Sequence, residues 1–182
     1  MCKLCEIKPV YEFTNQRKLC ARCFINYFQK KVLYIIRKFE MIKNNDLIAY
    51  ENKGDFRGVV LEDVLKMFSE KANIKLIKRD NSKAKKAIPA TINTESDKIV
   101  HELIKGNVKN LRKLAPIQGK IIKPLYLFLD EEVLLYAKLK KLKFKKKTEK
   151  KDKISGFVDG LEQKHPEIKR AIINSYLELF TN

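Results

Sequence analysis

LIAYENKGDFRGVVLEDVLKMF, residues 47–68, decides how this chain is read. Leu47-Ile48-Ala49-Tyr50 is a short apolar run of the kind that forms a buried strand. The polar stretch ENKGDFRG turns the chain. A helix then follows from about Val59 to Lys71, with Val60, Val64, Leu65 and Phe68 on its inner side. Downstream, Asn73–Ile77 reads as a second strand and RDNSKAKK (79–86) as a loop. Ala87–Ile92 reads as a third strand, which Pro89, lacking an N–H, places at an edge or a strand start. Thr94 to Asp97 reads as a capping box for a helix carrying Ile99, Val100, Leu103 and Ile104 and ending at Gly106. Strands alternating with helices imply a parallel, doubly wound α/β sheet.

Residues 107–129 look irregular apart from a candidate strand at Gly119–Ile122. Asp130 reads as the cap of a helix bearing Val133, Leu134, Ala137 and Leu142. Ile154, Phe157, Val158 and Leu161 mark another helical face. Pro166 suits the first position of a last helix with Ile168, Ile172, Ser175 and Leu179 on one side.

Upstream, all four cysteines fall in MCKLCEIKPVYEFTNQRKLCARC, residues 1–23. Cys2-x2-Cys5 and Cys20-x2-Cys23 are separated by fourteen residues. Two such turns present four thiolates to one tetrahedral ion, the pattern of a zinc ribbon. Disulfides suit an exported chain, yet no export signal precedes Cys2, so the expected compartment is the cytoplasm. Iron–sulfur ligation is the other four-thiolate option. Four protein ligands leave no open position, so the expected Zn²⁺ is structural. A long amphipathic helix follows, with Phe24, Phe28, Val32, Ile35, Phe39 and Ile42 along one stripe, widened by Ile25, Leu33 and Ile36, and Asn44-Asn45-Asp46 breaking it.

Forty Lys and Arg face 22 acids, a formal charge of +18. Such an excess draws polyanions, nucleic acid foremost. No apolar run is long enough to span a bilayer, and no membrane role is expected. Candidate RNA contacts are Arg17, Lys18 and Arg22 on the second knuckle, and Lys30, Lys31, Arg37 and Lys38 on the long helix. Lys145, Lys146 and Lys147 join them from the run KLKKLKFKKKTEKKDK (138–153), which reads equally as a solvated connector. Tyr11 and Phe13 either stack on an unpaired base or close the ribbon's small core. His101 and His165 lack an identifiable catalytic partner. Asp130, Glu131 and Glu132 answer a helix dipole, and Glu95 and Asp97 read as caps.

The order of parts resembles the tRNA 2-thiolation enzymes, a family with an ATP-pyrophosphatase domain behind a cysteine ribbon. The ribbon with Leu19-Cys20 and Cys23-Phe24, the long helix and the strand-to-turn at 47–56 carry the likeness. PATINTESDKIVHELIKGN (89–107) is similar to the family's G-H-N-x-D-D-E-A segment. IIKPLYLFLDEEVLLYAKL (121–139) is similar to its K-P-L segment and next helix, and FVDGLEQKHPEIKRAIINSY (157–176) to its L-E-x-x-H-P helix pair. The family's S-G-G-K-D-S loop binds ATP. Here Glu51-Asn52-Lys53-Gly54-Asp55 stands in its place, with Asp55 alone kept and Lys53-Gly54 a shifted remnant. The family's mid-domain cysteines, which carry sulfur and in some members an iron–sulfur cluster, have no counterpart after Cys23. The long stretch between the second strand and residue 89 is also shortened, and a C-terminal second ribbon is absent.

The resemblance therefore implies a reduced Rossmann-like scaffold without its chemistry, akin to the non-catalytic partner in the cytosolic thiolation pair. The expected organisation is a zinc ribbon (1–23), a connecting helix (24–43), a reduced ATP-pyrophosphatase-like α/β domain (44–144), and a basic linker with C-terminal helices (145–182). The expected role is a tRNA-binding pseudoenzyme that partners or scaffolds an active thiolation subunit or a second copy of itself. The alternatives are an ATP-binding tRNA-modifying enzyme with a rebuilt loop around Lys53, and a zinc-ribbon protein-interaction module.

Overall fold

A computed structural model describes residues 1–79, 81–146 and 152–180. Strands β1 (Tyr11–Glu12) and β2 (Lys18–Leu19) pair antiparallel, Tyr11 opposite Leu19. Helix α1 (Ala21–Lys38) springs directly from the second knuckle, with Cys20 at its N-cap. Its inner face carries Phe24, Phe28, Val32, Ile35 and Ile36, as the apolar spacing requires. The helix stops earlier than that spacing suggests. Glu40 takes φ 48°, and Met41 N–H donates to Ile36 O while Glu40 N–H donates to Arg37 O. This closes a left-handed helix end. Phe39 and Ile42 still pack on the same core, but from the curl beyond the helix. Asn44–Asp46 forms a separate turn.

Four strands then run parallel, and a fifth pairs antiparallel at one edge. They are β3 (Leu47–Tyr50), β4 (Lys75–Ile77), β5 (Lys85–Ala87), β6 (Ile117–Gln118) and β7 (Ile121–Ile122), in the order β4-β3-β5-β7-β6. β6 is the antiparallel member. Helix α2 (Phe56–Ser69) lies between β3 and β4, and α3 (Ile92–Ile104) follows β5. The short α4 (Val108–Leu111) and a 3-10 turn (Arg112–Leu114) lead into the β6–β7 hairpin. Helices α5 (Asp130–Leu139), α6 (Lys153–Lys164) and α7 (Ile168–Phe180) complete the chain.

Ile48, Tyr50, Ala87 and Ile122 bring the sheet into a main core with α1, α2 and α5. Phe28 is its aromatic centre, stacked 4.1 Å from Phe128 and 4.2 Å from Tyr136. A second core joins α3 and α7 through Ile92, Ile99, Tyr126, Ile173 and Tyr176.

Several elements depart from the pattern-based expectation. α2 begins at Phe56 rather than Val59, because Asp55 caps it by accepting from Gly58 N–H at 2.7 Å. The third strand runs over Lys85–Ala87 and is central, so Pro89 falls just beyond the pairing instead of at an edge. α3 opens at Thr91, whose box partner is Thr94, three residues before the expected start. Leu103 and Ile104 of that helix are exposed. Leu142 lies past the end of α5. Pro166 sits in a turn before α7, and the buried side of that helix is Lys169, Ile173 and Tyr176. Lys169 goes inward because Asp159 and Glu162 meet its amine at 2.6 and 2.8 Å, while Leu179 stays 77% exposed.

Candidate metal centre and nucleic-acid interface

The first knuckle is folded onto the second by backbone bonds. Cys2 N–H donates to Ile7 O, Lys3 N–H to Lys18 O, and Val10 N–H to Leu19 O, at 2.8–3.0 Å. Glu6, at φ 59°, closes the tight turn after Cys5. The result brings Cys2, Cys5, Cys20 and Cys23 together, all four sulfurs within 4.8 Å of one another. Cys5 Sγ lies 3.4 Å from Cys20 Sγ and 3.6 Å from Cys23 Sγ. Thiolates bound at ~2.3 Å around one tetrahedral ion stand roughly 3.8 Å apart. The four donors therefore fit a single metal ion. Burial pushes the Cys2 thiol up, but backbone hydrogen bonds from Leu4 and Cys20 outweigh it and bring the group down to about 6.

Behind the sulfurs, Tyr11 and Phe13 close the ribbon's own core. Their rings meet edge-on at 4.8 Å, Tyr11 lies 5.0 Å from Phe24, and Phe13 lies 4.9 Å from Tyr27. Tyr11 Oη donates to Glu131 at 2.8 Å, and burial raises its pKa. Of the two readings of this pair, base stacking and ribbon core, the contacts are those of a core.

The basic residues divide among different settings. Arg17 lies over the rings of Phe13 and Tyr27, at 4.8 and 5.2 Å. Lys31 is largely covered, lying 4.4 Å over Phe128 and 3.6 Å from the buried Glu132. Burial pushes its amine down to about 8. Lys31 thus sits inside the polar edge of α1 rather than on its open surface. Lys18 pairs with Glu12 at 3.1 Å, and Lys38 lies over Tyr34 and Phe39. Arg22, Lys30, Arg37 and Lys146 are exposed. Lys145 belongs to another neighbourhood, its N–H donating to Gly54 O at 2.7 Å. Lys147 lies outside the described residues.

The turn after β3 occupies the place where open α/β sheets bind ligands, beyond the carboxyl ends of the strands. Its donors are largely spoken for. Gly54 N–H gives to Asn52 Oδ1 at 2.8 Å, and Gly58 N–H gives to Asp55 Oδ1. Asn52 is held in turn by donating to Glu62 at 2.7 Å. A Cβ on Gly58 would come within 3.1 Å of both the Asn52 and Asp55 side chains, which shows how tightly they fill the space. Lys53 is exposed, 3.9 Å from Glu51. Beside this loop are two cavities, of about 400 and 300 Å³, sharing Glu51 and Lys86.

Next to the loop, three helix starts meet around one carboxylate. Asp130, the first residue of α5, accepts from Arg57 Nε and from Thr91 Oγ1, both at 2.7 Å. Arg57 Nη2 also pairs with it. Asp130 is therefore a cross-link between α2, α3 and α5 rather than the cap of its own helix. That cap is Glu132, which accepts from Leu129 N–H at 2.8 Å. Glu95 is wholly buried between Lys98 and Lys123, each at 2.6 Å, and does not serve as a cap. Sequence patterns treat isolated charges as surface, so nothing in them marks Arg57, Glu95, Lys123 or Glu132 as interior. His101 lies 3.6 Å from Glu102, and His165 ends α6.

Fold and site define an α/β chain with a metal-competent cysteine ribbon packed on its first helix. No protein-family model matches it, and no curated protein sequence does. Nineteen chains of solved structures match. One is the U34-tRNA thiolase NcsA from Methanococcus maripaludis, solved with its [4Fe-4S] cluster. It shares a TM-score of 0.80 and 19% identity over 100% of this chain and 87% of that one. At that identity the likeness establishes a common fold. Among the described residues, no helix is long and apolar enough to cross a membrane.

Proposed function

We propose that this protein is a non-catalytic, RNA-binding member of a tRNA thiolation system, pinned by a structural zinc ion. The observation that carries the reading is the loop at 51–58, where Asn52 and Asp55 occupy backbone donors that a phosphate would need. Three features support it further: a fold shared with a tRNA thiolase, an excess of 18 positive charges, and no cysteine beyond Cys23. Zinc is favoured over a four-iron cluster by the close sulfurs. A cluster spreads its thiolates over separate corners, whereas these four crowd one point. In this reading residues 1–23 and 24–43 form the RNA-facing part, 44–144 the scaffold, and 145–182 a basic tail. The protein works beside an active thiolation subunit or a second copy of itself in the cytoplasm.

Filter binding of tRNA over a salt series tests it. Each neutralised phosphate adds roughly 0.7–0.9 to the log–log slope. A steep fall in affinity with salt is expected, and absent or salt-independent binding overturns the reading. The cavities beside Lys53, Lys78, Arg79 and Lys86 favour a second reading, nucleotide binding through a rebuilt loop. It requires a thermal shift with ATP and Mg²⁺ that Lys53→Ala abolishes.

A further inference from the structure

Between the ribbon and α1 runs a groove of about 480 Å³, within the range of small-ligand sites. Its lining includes Arg17, Asn26, Tyr27, Lys30, Lys31 and Tyr34. Tyr34 is 54% exposed, a large ring left on the rim of a helix whose other rings are packed. Among the described residues, Arg17 Nε is buried with no hydrogen-bond partner. A buried guanidinium donor without an acceptor is uncommon in a finished interior. Here the Nε is covered beside the rings of Phe13 and Tyr27, and the residue still lines the open groove. Three cations and two rings in one groove suit a ligand with both an anionic group and a flat π face.

We infer that this groove seats one unpaired nucleotide of RNA, its base on Tyr34 and its phosphate between Arg17 and Lys30. The inference rests on the RNA-binding reading and adds to it a substrate feature, a loop or splayed base. A duplex hides its base faces in the stack, so it offers the phosphates without the partner for Tyr34. An acidic peptide offers charge without the ring. Stacking on an aromatic side chain is sequence-tolerant, so the groove selects for an unpaired base of any identity.

Fluorescence anisotropy with the full chain tests this. The probes are a labelled RNA hairpin with an unpaired loop, the same stem as a blunt duplex, and a poly-glutamate peptide as competitor. Tyr34→Ala is expected to weaken hairpin binding about five- to a hundred-fold, the worth of one stacked base. Duplex binding and the salt slope should not move, and Tyr34→Phe should restore the hairpin. An unchanged melting temperature, expected at so exposed a position, confirms the fold. Arg17→Lys should also weaken the hairpin selectively, because charge is kept while the planar fork is lost. The proposal is overturned if Tyr34→Ala leaves hairpin binding intact, weakens duplex equally, or if poly-glutamate displaces the hairpin from the groove. In the first two cases salt-dependent RNA binding persists and the broader reading stands. Failure of the wild-type chain to bind either RNA ends both.

Discussion

In the ribbon, Cys5 Sγ stands 3.4 Å from one thiol and 3.6 Å from another, and all four sulfurs point at each other. In the loop after β3, Gly54 N–H ends on Asn52 and Gly58 N–H ends on Asp55. Both are tight turns that gather like groups towards one point. They differ in what satisfies the gathered groups. Thiols satisfy one another poorly, so the ribbon is complete only with an ion from outside. The loop's donors are satisfied by acceptors of the same chain, so it is complete as it stands. Two tight turns in one chain thus differ in whether the partner of their gathered groups lies outside the chain or within it.

The largest expected effect comes from the ribbon. Cys20→Ser, or a strong chelator, should remove the bound ion and lower the melting temperature by more than about 10 °C. Elemental analysis should find one zinc per wild-type chain. Millimolar ATP with Mg²⁺ should leave the melting point where it was. An equal response to both, or a chain that melts identically with and without metal, would break the contrast.

Next is Asp130, the half-buried anion beside the loop. Asp130→Ala strands Arg57, only 8% exposed, without its carboxylate. The expected cost is about 3–5 kcal/mol by urea denaturation. The double variant Arg57→Met with Asp130→Leu should cost less than the single one. If the single change costs under about 1 kcal/mol, as an exposed pair would, the closed loop is not buttressed in this way.

The smallest effect is a pH dependence. Burial raises the Glu62 carboxyl, but Lys66, Asn52 and Lys78 outweigh it and hold the group at about 2, below its ordinary 4.5. A depressed carboxyl stabilises the fold above the unfolded value and loses that contribution as pH falls through the folded one. Wild type should therefore exceed Glu62→Gln by about 1–2 kcal/mol above pH 4.5. The gap should close as the pH drops towards 2. A gap that stays constant into acid would mean that Glu62 does not hold Asn52 through its charge.

Much of this was legible beforehand. The cysteine spacing marks the ribbon, the steps from Phe24 to Ile35 mark α1, and Leu47–Tyr50 is β3 residue for residue. Strands and helices in alternation give an α/β sheet. Element ends were less legible, because caps such as Asp55 and Thr91 and the left-handed Glu40 act through backbone geometry, which hydropathy does not record. The inner side of α7 differs from its apolar pattern for another reason. A lysine counts as outward until two acids from α6 are known to meet it. Buried charges were the hidden layer throughout, and they join elements far apart in the chain.

Glu132 is the extreme case. Its carboxylate lies 3.4 Å from Tyr27 Oη and 3.6 Å from Lys31 on α1, and 3.2 Å from Arg170 on α7. The first two precede Glu132 in the chain and the third follows it, so one buried carboxylate ties α1 and α7 to α5. The seat of the ribbon's helix is therefore finished only when α7 has docked. A chain cut before Ile168 keeps an interior anion short of one of its cations.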